Sequence, residues 1–393
     1  MSHFIGDGRR IVRAALMVAG IWAALVCPKA ADAMIFTASQ DPSYNTTAPD
    51  GAYANSGWRA VGAWGPGGGI AISPYHVLTA KHFTPGGDTF TLNGQSVTVA
   101  SMTNDVTDLR ILTLDEPVGT WASLYTGSDE VNQESVVIGR GRPVASAVYE
   151  GGELKGWEWA ARDGVKRWGT NIVDGTWNSG QLLGMDFDES GTAHEAAFTQ
   201  WDSGGGQFIQ DTDGQWKLAG VVFAVNGPYD VDDDHENGNE FSAALFDEGG
   251  FYEKTSETSW AYRVDKPFNL PQEMYSTRVS PRISWINSII SGAEPLDGDT
   301  DFDDDVDYTD AWALLNAYKA EGDWTWFNGD FNHDGVVDEA DADILLANYG
   351  TGVAGGLDST SIESALASMD GIPEPTTLAL LAIGGCALLR RRR

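Results

Sequence analysis

The stretch Trp201-Asp202-Ser203-Gly204-Gly205-Gly206 is followed, after a polar gap, by Trp216-Lys217-Leu218-Ala219-Gly220-Val221-Val222. Asp, Ser and Gly together favour a turn. The apolar run after them has the length and residue types of a strand. Working outward, the same alternation recurs at Gly69-Ile70-Ala71-Ile72, Val77-Leu78-Thr79-Ala80, Leu109-Arg110-Ile111-Leu112 and Ser135-Val136-Val137-Ile138, with Gly, Asp, Asn and Pro between the runs. Short strands separated by turn signals predict an all-β barrel or sandwich over Met34 to about Gly292. One helix is expected to close it, because Trp285, Ile286, Ile289 and Ile290 fall at helical spacing and Gly292 follows.

The chain has 393 residues, 42% of them hydrophobic, enough to bury a sizeable core, and a net charge of −33. Both ends are basic, so the body between them is more acidic still. Such a surface repels phosphate backbones, and no nucleic-acid partner is expected. The two cysteines, Cys27 and Cys386, lie in apolar segments at opposite ends. Disulfides therefore cannot hold the body together, and a cysteine nucleophile is excluded there.

Peptide hydrolysis by serine needs a hydroxyl, a base to activate it, a carboxylate to orient the base, and N–H donors for the oxyanion. Three segments supply candidates. Thr79-Ala80-Lys81-His82 ends an apolar run, Asp108 opens the run Leu109 to Leu114, and Ser203 sits in the Asp-Ser-Gly turn. Asp105 and Asp115 flank Asp108 without opening a strand, and His76 and His194 lack the Thr-Ala lead-in. The order His82, Asp108, Ser203 resembles that of trypsin-like serine proteases. So do Trp216 to Val222 as the next strand, Tyr275-Ser276-Thr277-Arg278-Val279-Ser280 as a late strand, and Arg282 to Ile290 as the closing helix. The resemblance implies two β-barrels with His82, Asp108 and Ser203 between them, and backbone N–H groups of Trp201 and Ser203 as the oxyanion hole. The chain departs from that family at Lys81 (usually Ala), at Trp201 (usually Gly) and at Phe223 (usually Ser). No Ile-Val-Gly-Gly activation sequence precedes His82. No Asp occupies the spot near Ala197 where the resemblance places the base of the primary pocket, so the pocket is expected to take a small or apolar substrate residue rather than Lys or Arg.

Beyond Gly292 the composition turns acidic and repeats. Gly298-Asp299-Thr300-Asp301-Phe302-Asp303-Asp304-Asp305-Val306-Asp307 aligns with Gly329-Asp330-Phe331-Asn332-His333-Asp334-Gly335-Val336-Val337-Asp338. Helices are expected after each, over Ala311 to Tyr318 and Ala342 to Tyr349. Oxygen ligands at alternate positions of a tight loop suit Ca²⁺. Asp299, Asp301, Asp303, the Asp305 carbonyl, Asp307 and Asp310 form one candidate set. Asp330, Asn332, Asp334, the Val336 carbonyl, Asp338 and Asp341 form the other. The pair resembles a dockerin type I module, which implies about two Ca²⁺ ions, a small α-helical domain over 296–352, and a cohesin-like partner.

The termini carry address signals. Arg9, Arg10 and Arg13, the apolar Ala14 to Val26 and Ala31-Asp32-Ala33 read as a signal peptide over 1–33. A polar linker is expected over 353–371. Pro373-Glu374-Pro375, an apolar run from Leu378 to Leu389 that is short for a bilayer span, and Arg390 to Arg393 resemble a PEP-CTERM sorting signal over 372–393. That implies an exosortase-type processing enzyme and a place at the surface or exterior of a Gram-negative bacterium. Two functions stay open at this point. One is a secreted serine endopeptidase acting on a protein or peptide substrate. The other is a catalytically inactive surface-binding protein whose calcium module does the binding.

Overall fold

The computed structural model describes residues 34–369 except 42, 84–86 and 293. The signal-like and sorting-like ends lie outside the described residues. Among the described residues, no helix is long and apolar enough to cross a membrane.

Alternating apolar residues make the first half a closed antiparallel barrel. Its strands run, in order around it, Val61–Trp64, Gly67–Ser73, His76–Ala80, Leu109–Leu114, Gln95–Asn104 and Thr89–Leu92, and Ala63 pairs with Thr91 to close it. Trp64, Phe90, Leu92, Val97 and Leu112 fill its interior. The second half is a seven-stranded antiparallel sheet in the order Arg167–Ile172, Glu134–Gly139, Gly206–Gln210, Trp216–Val225, Glu273–Arg278, Leu182–Asp186 and Gly175–Trp177. A shared apolar layer joins the halves. Ile70, Leu78, Leu109 and Ile111 from the barrel meet Val136, Ile138, Phe208, Leu218 and Val221 from the sheet, and Ile286 and Ile290 of helix α1 (Ile283–Ile290) cover them.

The N-terminal residues are part of the sheet half. Ile35–Phe36 pairs with Ala196–Ala197, and Met34, Ile35 and Phe36 are buried against Met185, Phe187 and Phe198. The acidic insertion after Val222 is ordered too. Tyr229–Asp230 pairs with Tyr252–Ser256, and Asp232 accepts hydrogen bonds from the side chains of Asn237 and Asn239.

The small helical region contains α2 (Tyr308–Ala317), α3 (Glu339–Asn348) and α4 (Thr360–Met369) around Leu314, Leu315, Trp326, Val337 and Leu345. The first two helices begin before the expected Ala311 and Ala342, because Asp307 and Asp338 cap them. Each accepts a backbone N–H and completes a reciprocal box with Asp310 or Asp341. The expected linker over 353–371 is also not bare chain. Ile362, Ala365 and Leu366 of α4 share one helix face and are buried in the module core.

One buried ion pair ties the loop at Glu130 to the end of the strand Glu273–Arg278 and to the turn that leads into the closing helix. The Glu130 carboxylate, with no exposed surface, accepts from Arg278 Nε at 2.7 Å and Nη2 at 2.6 Å, and from the Ser280 hydroxyl at 2.7 Å. Removing one partner of such a pair leaves a charge stranded. Glu130→Ala should therefore lower unfolding stability by about 3–5 kcal/mol, measured by urea denaturation.

Candidate active site

His82 follows the strand His76–Ala80, Asp108 precedes the neighbouring strand Leu109–Leu114, and Ser203 precedes Gly206–Gln210 of the other sheet. The barrel pairing of Ala80 with Leu109 sets the first two side by side. The Lys81 N–H donates to the Asp108 carbonyl at 2.7 Å. Its ammonium donates to the carbonyls of Asp105 and Thr107, at 2.9 and 2.6 Å. Lys81, a departure from the resembled family, thus staples the loop that delivers Asp108. Asp105 is spent on that loop, accepting from Thr107 and pairing with Arg282.

These elements bring the three sequence candidates together. His82 Nδ1 lies 2.6 Å from Asp108 Oδ2, and His82 Nε2 lies 2.8 Å from Ser203 Oγ. With the Nδ1 proton donated to the carboxylate, Nε2 is left to accept from the serine hydroxyl. The ring stands edge-on to Phe83 and Phe223, with centroids 5.8 and 5.7 Å away. Phe223 supplies no hydrogen bond to Asp108; it packs against the imidazole instead. The other histidines are engaged elsewhere. His76 is buried with Nδ1 2.8 Å from Ser73 Oγ, and His194 packs among Tyr53 and Trp168 and meets the Tyr44 hydroxyl. Asp115 accepts from the Thr98 N–H. Ala197 is fully buried and paired with Ile35.

The turn carrying Ser203 is held by its neighbour. Asp202 has no exposed surface. Its Oδ1 accepts the Gly141 N–H at 2.7 Å, and its Oδ2 accepts the Thr199 N–H and hydroxyl, both at 2.8 Å. Burial pushes this carboxyl up to about 6, against the pull of the N–H groups of Thr199, Gly141 and Arg140. The fit demands glycine at two places. A Cβ at Gly139 would sit 2.0 Å from Asp202 Oδ1, and one at Gly141 would sit 2.4 Å from Thr199 Oγ1. Thr199 was not singled out in the sequence; its only signal there is a hydroxyl residue one tight turn before an aspartate.

Trp201 takes φ +80°. That left-handed conformation costs a non-glycine residue about 1–2 kcal/mol. Among the described residues, neither the Trp201 N–H nor the Ser203 N–H has a hydrogen-bond partner, whereas Asp202, Gly204 and Gly205 all donate to backbone carbonyls. Two unpartnered donors thus lie at Ser203 and two residues before it, while the N–H groups of Asp202, Gly204 and Gly205 are spent.

The acidic repeats lie in the helical region. Two carboxylate groups gather there, Asp299 with Asp301 and Asp303, and Asp305 with Asp307 and Asp310, each with ligand atoms within 4.8 Å of one another. Both can hold a metal ion, and both belong to the first repeat. Burial and the surrounding Asp303, Asp310, Asp299 and Asp307 push Asp301 up to about 6, and Asp305 Oδ1 is buried without a partner. Crowded carboxylates with an orphaned oxygen are what a hard cation would relieve. In the second repeat Asp334 is engaged by Asn332 and the Val336 N–H, and Asp341 by the N–H groups of Phe331, Asn332 and Asp338. Asn332 replaces an aspartate there, so fewer charges converge. Asp330 Oδ1 is nevertheless buried with no partner.

No family profile matches the chain, and no curated protein matches it. Among solved structures it is similar to neuropsin, a serine protease expressed in the limbic system of mouse brain. The identity is 15% over 60% of this chain and 95% of that one, with a TM-score of 0.36.

If the Thr199 hydroxyl holds Asp202 as described, Thr199→Val should cost about 1.5–3 kcal/mol, the worth of a hydrogen bond to a charged group. Thr199→Ser should restore most of it. Urea unfolding of the three proteins reads the difference.

Proposed function

We propose that this protein is a secreted serine endopeptidase of the trypsin-like kind, with His82, Asp108 and Ser203 as its triad. The observation that carries the reading is the continuous hydrogen-bonded line from Asp108 Oδ2 through His82 to Ser203 Oγ, at 2.6 and 2.8 Å. Ser203 Oγ attacks the scissile carbonyl carbon while His82 Nε2 takes its proton. Asp108 fixes the ring and stabilises the imidazolium. The carbonyl oxygen, now negative, is met by the N–H groups of Trp201 and Ser203. Collapse expels the amine, which takes the proton from His82, and the acyl group stays on Ser203. Water then attacks the acyl carbon, His82 takes and returns its proton, and the acid leaves.

Around this core the sequence supports a wider role. The chain is exported through its N-terminal signal and sorted to the surface or exterior by an exosortase-type enzyme acting on the tail. Calcium in the acidic loops is structural: it would be held by Asp299, Asp301, Asp303, Asp307 and Asp310, with the Asp305 carbonyl, in the first loop. Asp330, Asn332, Asp334, Asp338 and Asp341, with the Val336 carbonyl, would hold it in the second. A cohesin-like protein is the partner class for this module.

Ser203→Ala is expected to fold normally and lose turnover on the order of 10⁶-fold, read as casein cleavage. The wild type should label with a fluorophosphonate and the variant should not. A wild type that neither labels nor cleaves would favour the inactive surface-binding reading. Trp201→Gly keeps the N–H and relaxes the backbone, so turnover should stay within about tenfold, whereas losing one oxyanion donor costs roughly 10²–10³.

A further inference from the structure

We infer that Arg59, a residue at the entrance to the first barrel, is a positioning residue for the second acidic loop, so that cation binding at Asp330 and docking of the helical module on the barrel strengthen each other. This rests on the reading of that loop as a calcium site and goes beyond it by naming what the barrel contributes.

The Asp330 carboxylate has no exposed surface, and its two oxygens differ. Oδ2 accepts from Arg59 Nη1 at 2.8 Å and from the Gly335 N–H at 3.1 Å. Oδ1 is buried and has no partner. Arg59 therefore does not take the place of a ligand ion. It holds Oδ2 and leaves Oδ1 to be satisfied. Its other nitrogen, Nη2, lies 3.0 Å from Asp323 of the same module. Only 16% of the Arg59 side chain is exposed, and its backbone is held to the barrel, the Arg59 carbonyl accepting from Asn93 at 2.9 Å. Gly335 has φ +87°, and a Cβ there would come within 2.8 Å of Arg59 Nη1, so the loop is shaped around this side chain.

The contact is continuous with an interface. Trp121, just past the last barrel strand, packs against Trp326 and His333 with centroids 4.9 and 4.2 Å apart. The Trp326 N–H donates to the Gly119 carbonyl at 2.8 Å. His333 lies inside the second loop, between Asn332 and Asp334, so that loop is pinned to the barrel at two points. Outer-shell groups that orient a metal-bound carboxylate are typically worth 10–100-fold in metal affinity. By linkage, whatever docking gives the cation, the cation returns to docking.

The test is calorimetric Ca²⁺ titration of the full mature chain. Asp303→Ala cripples the first loop and leaves the second to be read, and Asp334→Ala does the reverse. In the Asp303→Ala background, Arg59→Ala should weaken Ca²⁺ binding about 10–100-fold, and Arg59→Lys should fall between. In the Asp334→Ala background, Arg59→Ala should change nothing. Hydrogen exchange supplies the reciprocal readout: Ca²⁺ should protect Gly119–Trp121 in the wild type and not in Arg59→Ala, with thermal melting to establish that each variant is folded. Second-loop affinity that is unchanged or higher in folded Arg59→Ala would overturn the inference while leaving the calcium site standing. A wild type that binds no Ca²⁺ in either loop would overturn both.

Discussion

A carboxylate removed from water must find its donors inside the chain, and the geometry around Ser203 follows from how Asp202 does so. Its oxygens gather N–H groups from two separated segments, Gly141 beside one strand and Thr199 in its own turn. With the turn pinned on that side, the backbone must reverse sharply through Trp201 to bring Ser203 to His82. The left-handed backbone of Trp201 is the strain that this reversal incurs. Among the described residues, the same turn leaves the N–H groups of Trp201 and Ser203, on either side of Asp202, without a partner. Glycine at 139, 141 and 204 is the steric counterpart. At Gly204 a Cβ would stand 2.2 Å from the Gly68 carbonyl of the barrel, so the turn and the barrel touch backbone to backbone.

The elements the sequence makes legible are those whose signal is local. The strands at 69–72, 77–80, 109–112, 135–138 and 218–222 all fall inside observed strands, because apolar alternation and flanking turn residues act within a few positions. The closing helix is legible for the same reason. His82 and Asp108 are legible beside the strands they follow and precede, and Ser203 is legible through its Asp-Ser-Gly turn and through the order of the three. Helix α4 is masked in the sequence because Ser, Thr and Gly dominate its surroundings, though Ile362, Ala365 and Leu366 carry a helical spacing. The starts of α2 and α3 are harder to read, because a capping aspartate also reads as a loop ligand.

What is not legible is pairing across distance. Nothing near Arg59 announces Asp330, and nothing near Thr199 announces the strain at Trp201. A strand as short as Ile35–Phe36 has too few residues to show a period. The same limit explains the helical module. Its repeats can be recognised as a unit, yet the aromatic contact from Trp121 that seats it on the barrel involves residues with no shared motif. The module is therefore part of the folded body rather than a bead on a flexible leash, and the two acidic loops differ in surroundings despite near-identical spacing.

The buried N-terminal strand has a consequence for synthesis. Met34, Ile35 and Phe36 leave the ribosome before every other described residue, but their partners Ala196–Ala197 and the core around Phe198 arrive only after the whole first barrel has been made. Non-local pairings of this kind are closed late, because loop entropy must be met before contacts reward it. An apolar segment waiting that long is exposed to other chains at the same stage, and such exposure drives misassembly. The barrel draws its strands from residues 61–114 alone, whereas the half that presents Ser203 waits for segments as far apart as Ile35–Phe36 and Glu273–Arg278.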